Sequence, residues 1–346
     1  MYVTRIFKIA AVIIGTLIGA GFASGQEIYL FFQQFGLWGF LGMFISNILT
    51  GVLIYKILKI IKNNKITTYK DFVADIISPK WKGMLSSTIN TFLLISFYIM
   101  IAAFGAYFSQ ELGMKAYIGA TLGSIICFIV FQNNINGVIK INELLVPLLV
   151  GLIIWLGIRN MGSINLALEF QEKSYFKALI NSVIYSSYNS ILLIPILISM
   201  KEQIGSREQI LRISVLVVVI LLILSITIFI LLNSFNIIGI EIPIVYIAGR
   251  FGSIYNGIYG AVILIAILTS AVSIGYGVLN TTVYNRKKYM YMNILICTTA
   301  IVTSNIGFSK LVNVLYPIFG YLGIIQIIFI IKYKESIAKK RKYIYN

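Results

Sequence analysis

Ten stretches of roughly 20 apolar residues follow one another along this 346-residue chain, separated by short polar turns, and that succession leaves little choice of fold. They run at about 9 to 33, 37 to 58, 85 to 110, 116 to 132, 138 to 158, 177 to 200, 210 to 233, 254 to 281, 289 to 306 and 311 to 331. In hydrocarbon every backbone N–H and C=O must find a partner inside the protein, so runs of this length are expected to be membrane-spanning α-helices. Composition agrees: 59% of the residues are hydrophobic and 11% are charged, where a soluble domain carries about 25% charge. The longest polar gap, Lys62 to Gly83, has room for one short helix and none for a soluble domain. The expected fold is all-α, a single transmembrane domain over residues 1–346.

Lys and Arg set the expected orientation, because cytoplasmic loops retain positive charge during insertion. With the N-terminus inside, 22 of the 28 basic residues fall on the inner side. Both termini are then cytoplasmic and the cell membrane is the expected location. The net charge of +17 follows from this topology and from contact with an anionic lipid bilayer. The Lys339–Lys342 run in the basic cytoplasmic tail (332–346) reads as a lipid-facing stop, and no nucleic-acid partner is expected.

The midpoint of the chain, position 173, falls in the charged loop Glu169 to Lys177, with five spans on each side. An odd number of spans per half makes the halves inverted repeats, 1–172 and 173–331. That symmetry also argues against the other reading of the N-terminus, a cleaved signal peptide ending near Gly21 and Ala23. In such repeats the first helix of each half, helices 1 and 6 here, is expected to be discontinuous. Helix 1 carries the glycine-dense stretch Gly15 to Glu27, GTLIGAGFASGQE. Helix 6 carries the polar run Ser186 to Ser190 followed by Pro195; a kinked, back-bonded helix is the alternative there.

If helix 1 stops near Gly19 and restarts near Gly25, the carbonyls of Gly15 and Ile18 lose their helical donors. Ser24 and Glu27 have the spacing of a capping box for the restarted half, whose free N–H groups suit a substrate carboxylate. Gly19, Ala20 and Gly21 let a ligand approach the backbone, although Gly15 and Gly19 also fit small-residue helix packing. In the eighth span Ala266, Thr269 and Ser270 share one helical face and offer two hydroxyls and a carbonyl. With Gly15 and Ile18 these make five uncharged oxygens, a set suited to a small monovalent cation. A Thr-Ser pair that merely bonds back to its own helix is the plainer reading.

Gly15-Thr-Leu-Ile18-Gly19-Ala-Gly21 in helix 1, with Ala266, Thr269 and Ser270 in helix 8 of a five-plus-five layout, resembles the sodium-coupled transporters of the LeuT fold. The wording GxGFASGQE resembles a family of uncharacterised bacterial membrane proteins placed in the amino acid, polyamine and organocation superfamily. The resemblance implies a sodium site at Gly15, Ile18, Ala266, Thr269 and Ser270, with Na+ as coupling ion. It implies a substrate pocket at Gly19, Ala20, Gly21, Ser187 and Tyr188, closed by Tyr98 in preference to Tyr107. The implied function is sodium-coupled symport of an amino acid or similar small organic solute by alternating access.

Two carboxylates compete with that mechanism. Glu27 is a candidate proton carrier or counter-charge for a cationic substrate, beside its capping role, and Glu143 is a second proton candidate beside Lys140. A proton-coupled permease and a transporter-like solute receptor or sensor are the alternatives. Ile238 to Gly252 is long enough for an extracellular lid helix. The chain contains no histidine, two cysteines within apolar spans, and no Ser-His, Cys-His or metal-ligand constellation, so neither an enzyme nor a cofactor-binding protein is expected.

Overall fold

The computed structural model describes residues 2–64, 66–132, 136–160, 175–282 and 286–333, and at 2–4, 70, 79–80, 85–86, 136–144, 280–282 and 286 the backbone alone. All regular structure among the described residues is helical. The first half holds α1 (Tyr2–Leu17), α2 (Ala20–Ser24), α3 (Gln26–Phe31), α4 (Gly36–Asn64), α5 (Tyr69–Ile76), α6 (Pro79–Leu112), α7 (Ala116–Phe131) and α8 (Asn136–Arg159). The second holds α9 (Tyr175–Ser199), α10 (Arg207–Ser234), α11 (Pro243–Arg250), α12 (Ser253–Thr282), α13 (Arg286–Ser304) and α14 (Phe308–Lys332). Six described runs are long and apolar enough to cross a membrane: Gln26–Asn64, Trp81–Leu112, Tyr175–Ser199, Arg207–Ser234, Ser253–Leu279 and Phe308–Lys332. Ala116–Phe131 and Leu145–Arg159 are shorter apolar helices.

Large apolar side chains point outward along these helices, among them Ile125 and Ile129 on α7, Val219 and Ile223 on α10, and Ile294 and Val302 on α13. Such a surface would drive association in water and is the ordinary boundary with lipid tails. The chain is a multispanning membrane protein. The repeat boundary at position 173 and the basic tail from Lys334 onward lie outside the described residues.

The first span is interrupted. Ile18 N–H still bonds the Ile14 carbonyl at 2.7 Å, and the Gly19 carbonyl accepts from Ala23 N–H at 2.9 Å. At Gly19 the backbone is extended, with φ −74° and ψ −178°. Among the described hydrogen bonds no backbone N–H reaches the carbonyls of Gly15, Thr16, Leu17 or Ile18. Helix resumes at Ala20 rather than near Gly25, and the expected capping box is absent. Ser24 is the last residue of α2: its hydroxyl donates to the Gly21 carbonyl at 3.0 Å and accepts from Gln26 N–H at 3.3 Å, so it does not cap the third residue of a helix. Gly25 then turns the chain into α3 at φ 89°, a left-handed conformation that glycine adopts at least cost.

Helix α9 corrects the expectation of a discontinuous sixth span, since it runs unbroken over 25 residues with Pro195 inside it. Its polar run supplements the helical ladder. Ser182, Ser186 and Ser187 donate to the carbonyls of Ala178, Ser182 and Val183 at 2.7, 3.0 and 2.7 Å, Ser190 donates to Ser187 at 2.7 Å, and Asn189 Nδ2 donates to Tyr185 at 3.1 Å. Each hydroxyl satisfied within its own helix has no reason to open it. The helix is clasped between α4 and α14. Close approach to α14 depends on Gly320 and Gly323, where an added methyl would come within 2.7 Å of the Ile184 and Ser187 carbonyl oxygens.

The Lys62–Gly83 gap holds α5, whose start is a capping box. Thr68 accepts from Asp71 N–H at 3.1 Å while Asp71 accepts from Thr68 N–H at 2.9 Å. The Thr67 hydroxyl, then Thr68, hold the Asp71 carboxyl below its ordinary range.

Candidate functional site

Glu27 lies in the first turn of α3 and is 3% exposed. Its carboxyl folds back over α2: a methyl on Gly21 would overlap Glu27 Oε1 and lie 2.8 Å from its Cγ. Glycine at 21 therefore makes the space that the carboxyl occupies. The other oxygen, Oε2, accepts from the Tyr188 hydroxyl at 2.5 Å, joining α3 to the centre of α9. Among the described residues no Lys or Arg forms an ion pair with Glu27.

Aromatic rings enclose this pair. Tyr188 stacks on Tyr316 of α14 at 4.9 Å between centroids and on Phe31 of α3 at 5.6 Å, with Tyr185 edge-on at 5.4 Å and Phe92 of α6 at 6.4 Å. Five elements thus converge on one carboxyl: α2 through Gly21, α3 through Glu27 and Phe31, α6 through Phe92, α9 through its two tyrosines and α14 through Tyr316. Of these, sequence reasoning singled out Gly21, Glu27 and Tyr188. Tyr185 was legible as the residue three before Tyr188 on the same helical face, whereas nothing in the local wording points to Phe31, Phe92 or Tyr316. A buried carboxyl and phenol walled by π faces can carry a proton or hold a cation.

The other candidates fall in different places. Gly15 packs on α8, where an added methyl would lie 2.6 Å from Val146 Cγ2, and Ile18 is buried at the interruption. A side chain at Gly19 would meet nothing within 4 Å, and Ala20 is buried. On α12 the Thr269 hydroxyl donates to the Ala266 carbonyl at 3.1 Å, and Ser273 donates to the Thr269 carbonyl at 2.8 Å. Ser270, beside Thr269, is half-buried. No described hydrogen bond joins Gly15 or Ile18 to Ala266, Thr269 or Ser270; α12 reaches the first span through Tyr259, which donates to the Ala23 carbonyl at 2.8 Å. Tyr98 turns away from the interruption and pairs with Thr299 Oγ1 of α13 at 2.7 Å. Tyr107 instead lies against Gly260 of α12. Ser187 is buried against Gly323. The Glu143 and Lys140 side chains lie outside the described residues.

At the α3 end of the first span, the segment expected as a lid carries α11, and the strand of chain before it is pinned on three sides. Gln26 Nε2 donates to the carbonyls of Ile240 and Glu241 at 2.7 and 3.0 Å. Gln110 of α6 accepts from Ile242 N–H at 2.8 Å and donates to its carbonyl at 3.2 Å. Glu241 Oε2 accepts from the N–H and hydroxyl of Ser309 on α14 at 2.7 and 2.8 Å. Beneath lies a cavity of about 220 Å³ lined by Gln26, Tyr29, Glu241, Ser309, Lys310 and Asn313 among others. At the other end, Arg5 of α1 donates to the Glu202 carbonyl at 3.0 Å, tying the start of the span to the α9–α10 turn.

No family model matches the chain. In sequence it is 26% identical over 324 residues to the uncharacterized membrane protein YkvI of Bacillus subtilis (strain 168), covering 92% of each chain. It is 26% identical over 329 residues to YyaD of the same organism, covering 93% of this chain and 94% of that one. In structure it superposes on MhsT in complex with L-phenylalanine with a TM-score of 0.65 at 17% identity, over 96% of this chain and 90% of MhsT. A Na+-coupled sialic acid symporter in its outward-open state gives 0.55 at 12% identity, over 93% and 78%. A manganese transporter of Eremococcus coleocola gives 0.58 at 13% identity, over 91% and 76%. The chain has the fold these three share, the LeuT fold.

Proposed function

We propose that this protein is a secondary active transporter of a small organic solute, working by alternating access across the cell membrane with both termini in the cytoplasm. It is built as two inverted repeats of five spans, 1–172 and 173–331, and is not an enzyme. The observation that carries this reading is the interruption of the first span. Four successive backbone carbonyls lack helical donors there, and a buried carboxyl follows nine residues after the last of them, an arrangement suited to a transported ligand or ion.

Sodium is the proposed coupling ion, held between Gly15 of α1, Ile18 just past its end, and Ala266, Thr269 and Ser270 of α12. Its support is the stated use of sodium by one protein of the same fold and the register of α12. Thr269 lies ten residues beyond Tyr259, or about 15 Å of helix, which brings it toward the depth of the carbonyls that precede Ala23. The Thr269 hydroxyl donates to Ala266 and so keeps its oxygen lone pairs for an acceptor role. Gly19, Ala20 and Gly21 with Tyr188 border the solute; Tyr98, paired with Thr299, is left out. A proton-coupled reading has one observation in its favour, the Glu27–Tyr188 bond.

Uptake of a radiolabelled amino-acid and amine mixture into proteoliposomes, under an imposed sodium or proton gradient, tests this. Sodium-driven accumulation is expected, and Thr269→Ala is expected to reduce sodium dependence by about tenfold or more, the loss of one hydrogen-bonding ligand to a charge. Uptake driven by protons alone and unchanged in Thr269→Ala would replace the sodium mechanism with the proton one.

A further inference from the structure

We propose that Glu27 is the counter-charge for an ammonium or guanidinium group, so that the solute is an organic cation: an alkylamine, a quaternary amine, a polyamine or a basic amino acid. This rests on the transporter reading and names its substrate class. The carboxyl is buried, and its described hydrogen-bond partner is a neutral phenol. An ionised carboxylate in hydrocarbon requires a positive partner, and among the described residues the protein supplies none in ion-pair range. A carboxyl that stays protonated needs no such partner, and a cation arriving from solution is what would let this one ionise.

The walls select among the cations that could arrive. Phe31 and Tyr316 stack on Tyr188 and Tyr185 meets it edge-on, and an aromatic wall beside a carboxylate forms the surroundings in which an organic ammonium gains both charge pairing and cation–π attraction. Gly21 gives the carboxyl the space it occupies over α2, and two residues earlier the side-chain direction of Gly19 is open, with nothing within 4 Å. A neutral solute offers the carboxyl no charge pairing and an anionic one would be repelled by its ionised form, since a like charge in a low-dielectric site costs far more than at the surface.

The test is a thermal-shift and equilibrium-binding comparison on the purified full-length protein with matched probes: lysine against norleucine, choline against 3,3-dimethylbutanol, and agmatine and putrescine against butanol, each with and without sodium chloride. At least one cation is expected to stabilise the protein while its uncharged counterpart does not. Glu27→Gln is expected to weaken that cation by about 30-fold or more, the loss of a charge-assisted contact. Glu27→Asp, which keeps the charge, is expected to retain the preference, as is Tyr188→Phe, which keeps the rings. Binding of the neutral probes as tightly as the charged ones, no response to any cation, or a cation response that survives Glu27→Gln would overturn the assignment. So would equal loss in Tyr188→Phe and Glu27→Gln, which would make the pair a structural strut. Counterflow of the bound probe separates this inference from the transporter reading. Glu27-dependent binding without counterflow leaves the site and removes transport; uptake of a neutral solute undiminished in Glu27→Gln leaves transport and removes the site.

Discussion

Gly39→Ala is expected to lower the apparent melting temperature of the detergent-solubilised protein by roughly 5 °C or more and to cut its yield. The chain leaves α3 through a tight 3-10 turn, Gln33–Phe35, and re-enters the membrane as α4. At Gly39 the new helix passes so close to that turn that an added methyl would overlap the Phe32 carbonyl oxygen and sit 2.6 Å from its carbon. The obstacle is backbone, which cannot rotate aside. The turn would have to move, and with it Phe31 and Phe32, whose rings pack edge-on to Tyr185 at 5.3 and 5.1 Å. A melting curve and size-exclusion profile for Gly39→Ala beside Gly83→Ala, where an added methyl meets nothing within 4 Å, isolate the effect. Equal stability of the two variants would contradict this packing.

Gly21→Ala is expected to reduce uptake by about tenfold or more while the protein still folds. The added methyl takes the space of Glu27 Oε1, and this obstacle is a flexible side chain that can swing away. Swinging breaks the Tyr188 bond and leaves a hydroxyl and a carboxyl unpaired in the interior, which costs about 1–3 kcal/mol, or five- to 150-fold in an equilibrium. Transport assays on protein matched for monodispersity check the result. Unimpaired uptake would show that the carboxyl is not held over α2 during the cycle.

Hydropathy carried the membrane class and the helical content, because each backbone amide in lipid must be satisfied locally and only long apolar runs can do it. The glycine-dense wording of the first span drew attention to the stretch where α1 and α2 end. It could not give the restart point. Ser24 has the type and spacing of a cap, but a five-residue helix places it at a C-terminus, and chain direction through Gly25 is a three-dimensional outcome. The sixth span shows the complementary failure. Serine and asparagine promise either a break or a back-bonded helix, and the choice is made by Gly320 and Gly323 on a helix more than a hundred residues away, whose fit favours a regular α9. Tyr98 and Tyr107 are both tyrosines of α6, and only helix rotation separates one facing Thr299 from one facing Gly260. The aromatic walls around Glu27 were invisible for the same reason: Phe31, Phe92 and Tyr316 meet by packing, not by spacing.

The account stands on the interruption of the first span serving as a site reached in turn from each side of the membrane. The direct test is a single cysteine, Gly19→Cys, in a background with the buried Cys127 and Cys297 changed to alanine. A side chain at position 19 meets nothing within 4 Å, so the substitution fits the fold. Labelling rates with a membrane-impermeant thiol reagent are measured in right-side-out and inside-out vesicles, with and without sodium. Modification from both sides, with sodium raising one rate and lowering the other, is the predicted result. Modification from neither side, or from one side at a rate that no ion or solute alters, would contradict it.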